Sequence, residues 1–339
     1  MAHTSAPSRL PVWDVHAHYL PTEAIALMGS GVVQVELETV WGIEDHVTVN
    51  GMAVGATIHQ LSDVDRILAA TERAGIDKRV LSPPPFTYRY WNDPAESLAL
   101  CRLLNDATAA VADAHPQRFR GLATVPLQDT ESAIEELGRA RQIGLVGVTI
   151  GTNIAGANVS DPVHRPFLAA AAEADLPILV HPDFVPERRT SGYYLINLIG
   201  MPVETAISMG NMLFSGVFDE FPDLRVCFMH GGGAGPYLFG RWNTGWRLRS
   251  EVRADSSRLP TDYLTNIYCD TLTHSAAALS HLVEVIGAEN VVIGTDLPFD
   301  VEDPDPLRHL AAAPRLTDSD RETIKTVSPV RWLTGKNPS

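Results

Sequence analysis

From residue 61 onward one unit recurs: a stretch with helical period, a break at Gly, Asp or Pro, then a short apolar, β-branched run. The helical stretches span 61–75, 94–115, 130–143, 162–174, 202–218, 236–252, 275–286 and 318–333. Between them lie Arg79–Ser82, Gly121–Val125, Leu145–Ile150, Pro177–His181, Arg225–His230, Asn266–Asp270 and Val291–Asp296, and Val12–His18 precedes them all. These runs are apolar on both faces, as parallel strands buried beneath helices must be. Eight strand–helix units in 339 residues predict an α/β chain folded as a single (β/α)8 TIM barrel over residues 1–339. The alternative, an open doubly wound sheet, is weakened because no GxGxxG turn follows the first strand. Residues 29–60 break the pattern. Val32–Leu37 and His46–Val49 alternate polar with apolar residues, and Asn50-Gly51 is a hairpin-turn pair. The expectation is a small β insertion after the first strand that covers the barrel mouth.

The net charge of −15 argues against nucleic acid or an anionic membrane as partner, but leaves room for a small anionic substrate held by local cations. Cys101, Cys227 and Cys269 are too few and too scattered for a disulfide framework or a thiolate metal site, which suits a reducing compartment. The N-terminal MAHTSAPSRLP lacks a signal pattern, and no run approaches the ~18 apolar residues of a membrane span. A cytoplasmic location is expected.

In a (β/α)8 barrel the side chains at the C-terminal strand ends line the active site. Here the first strand ends in His16 and His18, the fifth in His181, the sixth in His230, the seventh in Asp270 and the eighth in Asp296. Alternation along a strand puts His16 and His18 on one face, about 6–7 Å apart. Any one of these histidines has a hydrogen-bonded structural role open to it. Together they describe a metal site. His16, His18 and His181 offer three neutral nitrogens and Asp296 a carboxylate oxygen, a set that suits Zn2+ and also accepts Mn2+, Fe2+ or Co2+. His230 is then the general acid/base beside a metal-bound water, with Asp296 part of the catalytic group. Asp14, of the same nominal parity but deeper in the strand, is assigned to support the ligands or to a buried polar contact, and Asp270 is equally ambiguous. Leu145–Ile150 holds no lysine to bridge two ions, so one metal is expected.

The pattern Asp14-x-His16-x-His18, His181-Pro182, His230-Gly231-Gly232-Gly233 and Gly294-Thr295-Asp296-x-Pro298-Phe299 resembles the amidohydrolase superfamily. Within it, Val125–Asp129 and Gly240-Arg241 are similar to the branch typified by aminocarboxymuconate semialdehyde decarboxylase and related aromatic-acid decarboxylases. The resemblance spans nearly the whole chain. It implies a Zn2+-dependent, non-oxidative carbon–carbon lyase that works as a homodimer. It gives the same four metal ligands, makes His230 the base, and has Arg241 reach into the neighbouring subunit to hold a substrate carboxylate. A planar guanidinium suits that task because it binds carboxylate bidentately.

Two departures bear on the substrate. Residues 47–60 contain no Arg or Lys, and Gly55 stands near where that branch carries a second carboxylate-binding arginine. The C-terminal Asn-Ala-x-Arg-like motif reads Ser328-Pro329-Val330-Arg331. Arg89, Arg188 or Arg189 is then a candidate to hold the acid, with Phe86, Tyr88, Trp91, Phe184 and Tyr193 as an aromatic wall. The expected reaction is decarboxylation of a small aromatic or unsaturated, muconate-like acid. The alternative is metal-dependent hydrolysis or hydration of a lactone, amide or conjugated double bond.

Overall fold

Eight short parallel strands carry the chain, in the order the apolar runs predict. In the computed structural model, which describes residues 9–183, 185 and 187–338, they are Trp13–His18, Lys78–Ser82, Phe119–Gly121, Val148–Gly151, Ile178–His181, Val226–Phe228, Ile267–Asp270 and Val291–Val292. The first eight residues, which carry the expectation about a signal sequence, lie outside the described residues, as does Phe184. The first three strands pair in one ladder and the last five in another. Backbone hydrogen bonds join the two ladders at both seams. At one, the Ala123 amide donates to Gly147 and Thr149 donates back to Ala123; at the other, Val15 donates to Ile293 and His18 to Leu297. The ring is therefore closed, as a barrel without edge strands must be.

The barrel interior reads out as one side chain per strand. Val15, Val80, Leu122, Val146, Leu179, Cys227, Tyr268 and Val292 share a core with Trp332, which the last helix inserts with no exposed surface. Residues of the opposite parity, such as Ile178, Val180, Val226 and Phe228, pack outward against the helices in the main apolar cluster. That two-sided burial is why these strands do not alternate in sequence.

Side-chain caps set several helix starts. Asp93 accepts from the Ala95 and Glu96 amides ahead of Pro94–Ala114, Asp129 from Ser132 ahead of Thr130–Gln142, and Ser275 from Ala278 ahead of Ala276–Ile286. The helix expected over 61–75 is two pieces, Ile58–Ser62 and Val64–Arg73. Asp63 interrupts it with extended backbone and caps the second piece through the Arg66 amide. No helix among the described residues is long and apolar enough to cross a membrane.

Between the first strand and that capped pair, Val35–Val40, Ile43–Val49 and Met52–Thr57 form an antiparallel meander. Its two-residue turns, Trp41-Gly42 and Asn50-Gly51, have positive φ at both residues (52° and 78°; 48° and 76°), the twist-matched hairpin geometry. Only Asn50-Gly51 is a sequence signal; a tryptophan in the left-handed region is not. Val35, Val47 and Ala56 of the meander pack with Phe86 and Phe299 in one core.

Candidate active site

His16 and His18 point the same way, but the parity argument fails at Asp14. The ladder between the first two strands pairs Asp14 with Arg79 and Ala17 with Leu81, so Val15 and His16 together oppose Val80. This β-bulge turns both Val15 and His16 toward the barrel axis and leaves Asp14 outside, a re-aiming common beside active sites. Asp14 is fully buried there and accepts from Arg79 Nη1, from Thr295 Oγ1 at 2.7 Å, and from the His16 and Thr295 amides at 3.0 and 3.2 Å. Burial pushes its carboxyl up and the Arg79 guanidinium pulls it down. Every partner is a donor, so the carboxylate is the form held.

Inside the mouth the nitrogens converge on Asp296. Oδ1 lies 3.2 Å from His16 Nε2, 2.9 Å from His18 Nε2 and 4.0 Å from His181 Nε2, and Oδ2 lies 3.4 Å from His230 Nε2. His16 and His18 present their Nε2 atoms to each other at 3.3 Å. Tetrahedral bonds of 2.0–2.2 Å place ligand atoms about 3.3–3.6 Å apart, so this spacing fits a single ion.

The tautomers agree. His16 Nδ1 meets Asp270 Oδ2 at 2.7 Å and His181 Nδ1 meets the Pro182 carbonyl at 2.8 Å. Both oxygens accept, so both Nδ1 atoms carry a proton; His181 Nε2 presents its lone pair directly, and His16 Nε2 presents one once its second proton is displaced. His181 Nε2 is buried with no hydrogen-bond partner among the described residues, a costly arrangement that a cation resolves. Asp270, ambiguous in sequence, therefore orients His16, and its other oxygen accepts from the Gly231 amide at 2.6 Å.

The electrostatics match. Burial holds the His181 imidazole well below its usual range and also lowers His18, so both are neutral. Burial opposes ionisation of Asp296, but His16 and the hydrogen bonds around it take the carboxyl well below the usual range. Burial would lower His16 too, yet the Asp296 and Asp270 carboxylates raise it to about 10. A proton on His16 thus stands where the site calls for positive charge.

His230 differs from the other three. Its side chain is 19% exposed, against 0–3% for His16, His18 and His181. His230 and Asp296 lie beyond the last ladder residues Phe228 and Val292, in turns where their φ values are 57° and 61°. Non-glycine residues in that region concentrate at functional sites. The glycines nearby have steric reasons. A Cβ on Gly233 would stand 2.2 Å from the Pro202 carbonyl oxygen, and one on Gly294 would stand 2.6–2.8 Å from Asp270 and His16. His16, His181, His230 and Asp296 also form a set whose ligand atoms lie within 4.8 Å of one another, so His18 and His230 compete geometrically for one place.

The remaining candidates sit farther out. Phe86 is buried in the core shared with the meander, and Phe299 of that core tilts against the His18 ring at 5.2 Å. Arg89 is 3% exposed at φ 48°; its Nη2 donates to the Ser30 carbonyl while Nη1 is buried without a partner among the described residues. Trp91 is half-buried. Tyr88 is buried and bonded to Thr149, Tyr193 is 94% exposed, and Arg189 pairs with Glu187 in solvent. Arg241 is exposed on the helix Gly235–Leu248. Sequence reading passed over Arg79 and Thr295, whose roles depend on the bulge. It also missed Asp183, two residues past His181, whose carboxyl burial pushes up to about 7.

A histidine–aspartate cluster at the C-terminal mouth of a closed (β/α)8 barrel defines a metal-dependent hydrolase or lyase. The chain belongs to the amidohydrolase family, whose profile matches residues 13–332. A 2-amino-3-carboxymuconate-6-semialdehyde decarboxylase of Dictyostelium discoideum is 35% identical, covering 82% of this chain and 78% of its own. The Caenorhabditis elegans protein of that name is 26% identical across 97% and 96%. A 2-keto-4-carboxy-3-hexenedioate hydratase of a Sphingobium species is 25% identical across 74% and 73%. The crystal structure of 5-carboxyvanillate decarboxylase from Sphingomonas paucimobilis superposes with a TM-score of 0.81 at 26% identity, over 96% of this chain and 99% of that one. A dihydroxybenzoic acid decarboxylase from a Polaromonas species, solved with bound manganese, shares the fold with a TM-score of 0.80 at 23% identity, over 97% and 98%.

Proposed function

We propose that this chain is a divalent-metal-dependent, non-oxidative decarboxylase of a small aromatic or unsaturated, muconate-like carboxylic acid. The observation that carries the reading is the convergence of two nitrogens of fixed orientation, His16 Nε2 and His181 Nε2, on the Asp296 carboxylate. His16, His18, His181 and Asp296 would hold the ion. Three imidazoles and a carboxylate suit Zn2+, and Mn2+, present in the Polaromonas structure, is the second choice. When bound, such an ion supplies a Lewis acid for a substrate oxygen and lowers the pKa of an adjacent water.

The chain's own groups do the rest. Asp270 and the Pro182 carbonyl keep His16 and His181 in the ligating tautomer. His230, alone of the four histidines in reaching toward solvent, takes a proton and delivers it to the carbon that bears the carboxylate. The electron pair of the breaking C–C bond stays on that carbon, the proton joins it, and CO2 departs. Phe86, Phe299 and Trp91 supply apolar surface for a planar substrate. The meander over residues 35–57 closes the mouth through the core it shares with Phe299, within one domain. Arg89, through its unpartnered Nη1, and Arg241 are the cations assigned to the acid.

Arg241 acts from a second copy. Tyr237, one turn away on the same helix, is 82% exposed, and Leu198, Ile199, Val203 and Ile207 on the adjoining segment are 43–58% exposed. Apolar patches of that kind are normally covered, and a homodimer covers this one. If so, mixing Arg241→Ala chains with metal-dead His181→Ala chains restores activity in the hybrid dimers, since each hybrid has one complete mouth. Hybrids as inactive as their parents count against the trans role. A cytoplasmic location agrees with three free, buried cysteines.

Hydration is the second reading, favoured by the Sphingobium relative. The same His230 would activate water for addition to a double bond. A panel of aromatic and muconate-type acids assayed in H2(18)O separates the two. CO2 release with an unlabelled organic product supports the lyase; 18O in the organic product without CO2 overturns it.

A further inference from the structure

One buried cation takes no part in the chemistry above. Arg79, 1% exposed on the second strand, faces away from the barrel axis. Its Nε donates to Thr71 Oγ1 at 2.8 Å, and its Nη1 reaches both the Asp14 carboxylate and Thr295 Oγ1, the latter at 2.7 Å. Asp14 in turn accepts from the main chain of His16 and of Thr295, the residue preceding Asp296. A single guanidinium therefore ties the helix Val64–Arg73, the bulge of the first strand and the loop leaving the eighth strand. Two of the four assigned metal ligands, His16 and Asp296, hang from main chain gripped by this clasp. The bulge that brings His16 inward is the same one that leaves Asp14 outside to meet Arg79.

We propose that Arg79 is a positioning residue for the metal site: through Asp14 and Thr295 it holds the backbone geometry in which His16 and Asp296 point at one ion. The inference rests on the metal-site reading above. An ordinary buried ion pair would contribute to stability and leave the metal affinity of the folded protein unchanged. A clasp that aims ligands sets that affinity, and outer partners of metal ligands typically govern it by about 10–100-fold.

The test uses full-length protein stripped with chelator and titrated with Zn2+ and Mn2+, folding being followed by circular dichroism and cooperative melting. Arg79→Met is expected to weaken metal binding by about 10–100-fold, and at saturating metal to lower kcat more than it raises KM. Arg79→Lys, which keeps the charge but not the planar fork, is expected to fall between. Arg79→Met/Asp14→Leu removes both charges and restores an apolar wall, so folding does not depend on one stranded ion. It should fold and still bind metal weakly. Thr295→Val, which deletes only the shared hydroxyl, should weaken binding in the same direction. Wild-type protein that takes up no ion overturns the metal-site reading itself. Wild type that binds metal while the folded Arg79→Met or Arg79→Met/Asp14→Leu protein binds as tightly overturns the role of Arg79.

Discussion

Replacing His181 with alanine is expected to abolish metal retention and, with it, essentially all turnover, while leaving the barrel folded. His181 belongs to both ligand sets the geometry allows, so the outcome does not depend on whether His18 or His230 completes the site. Its Nε2 is a buried nitrogen without a hydrogen bond among the described residues, so removing the ring strands none of them except the Pro182 carbonyl. Metal analysis after dialysis reads the first effect. Thermal melting with and without chelator reads the second, because an ion at a thousand times its Kd stabilises the folded state by about 4 kcal/mol. Chelator should lower the wild-type Tm and leave that of His181→Ala unmoved. Equal metal content in the two proteins would sink the assignment.

The same site predicts a dependence on pH. In the metal-free protein His16 is raised from 6.5 to about 10 by Asp296 and Asp270 against the effect of burial. A group raised on folding stabilises fully below its unfolded value and loses that contribution as pH climbs to the folded one. Metal-free protein should therefore lose stability between pH 6.5 and about 10 through this group. An ion must displace that proton, so affinity should rise by up to about tenfold per pH unit over the same window. Calorimetry in buffers of different ionisation enthalpy counts the proton released.

The barrel and the histidine–aspartate cluster are legible for one reason: both leave marks one residue wide. A buried parallel strand needs an apolar run, and a ligand at its mouth needs a His or Asp where the run stops. His16, His18, His181 and Asp270 obey that rule in the structure. His230 and Asp296 obey it loosely, being carried past their ladders into left-handed turns where the preceding apolar residues no longer report backbone geometry. What was illegible depends on register. Nothing in Trp13-Asp14-Val15-His16 announces a bulge, because every residue there is compatible with either face. With the bulge unseen, alternation puts Asp14 on the wrong face, and nothing in the run Arg79–Ser82 marks Arg79 as its partner. The third strand of the meander, Met52–Thr57, was missed for a related reason: Met-Ala-Val-Gly-Ala-Thr has too little polar contrast to alternate. Arg89 was legible as a cation and illegible as a buried one, since its contact with the Ser30 carbonyl joins segments distant in sequence.

His230→Asn is the second large effect, and the choice of asparagine matters. His230 sits at φ 57°, where asparagine is tolerated and a β-branched or bulky residue is strained, so the backbone turn should survive. Asparagine can still hydrogen-bond toward Asp296, whose Oδ2 lies 3.4 Å from His230 Nε2, but it cannot carry a proton to carbon. Metal content should remain at the wild-type level, KM should change little, and kcat should fall by about 10²–10⁴-fold, the usual worth of a positioned general acid. Added imidazole should recover part of the loss, because the side-chain face that opens to solvent is the one vacated. Loss of metal in His230→Asn would instead make His230 a ligand, with His16, His181 and Asp296. His18, whose Nε2 stands 2.9 Å from Asp296, would then be the histidine without a metal bond, and His18→Asn would retain the ion. The two variants together decide the division of labour, since one ion of this size accepts only one of the two rings in the remaining place. The exposure of His230 and the burial of His18 favour the first outcome: a ligand gains from exclusion of water, whereas a group that exchanges protons with substrate must reach it.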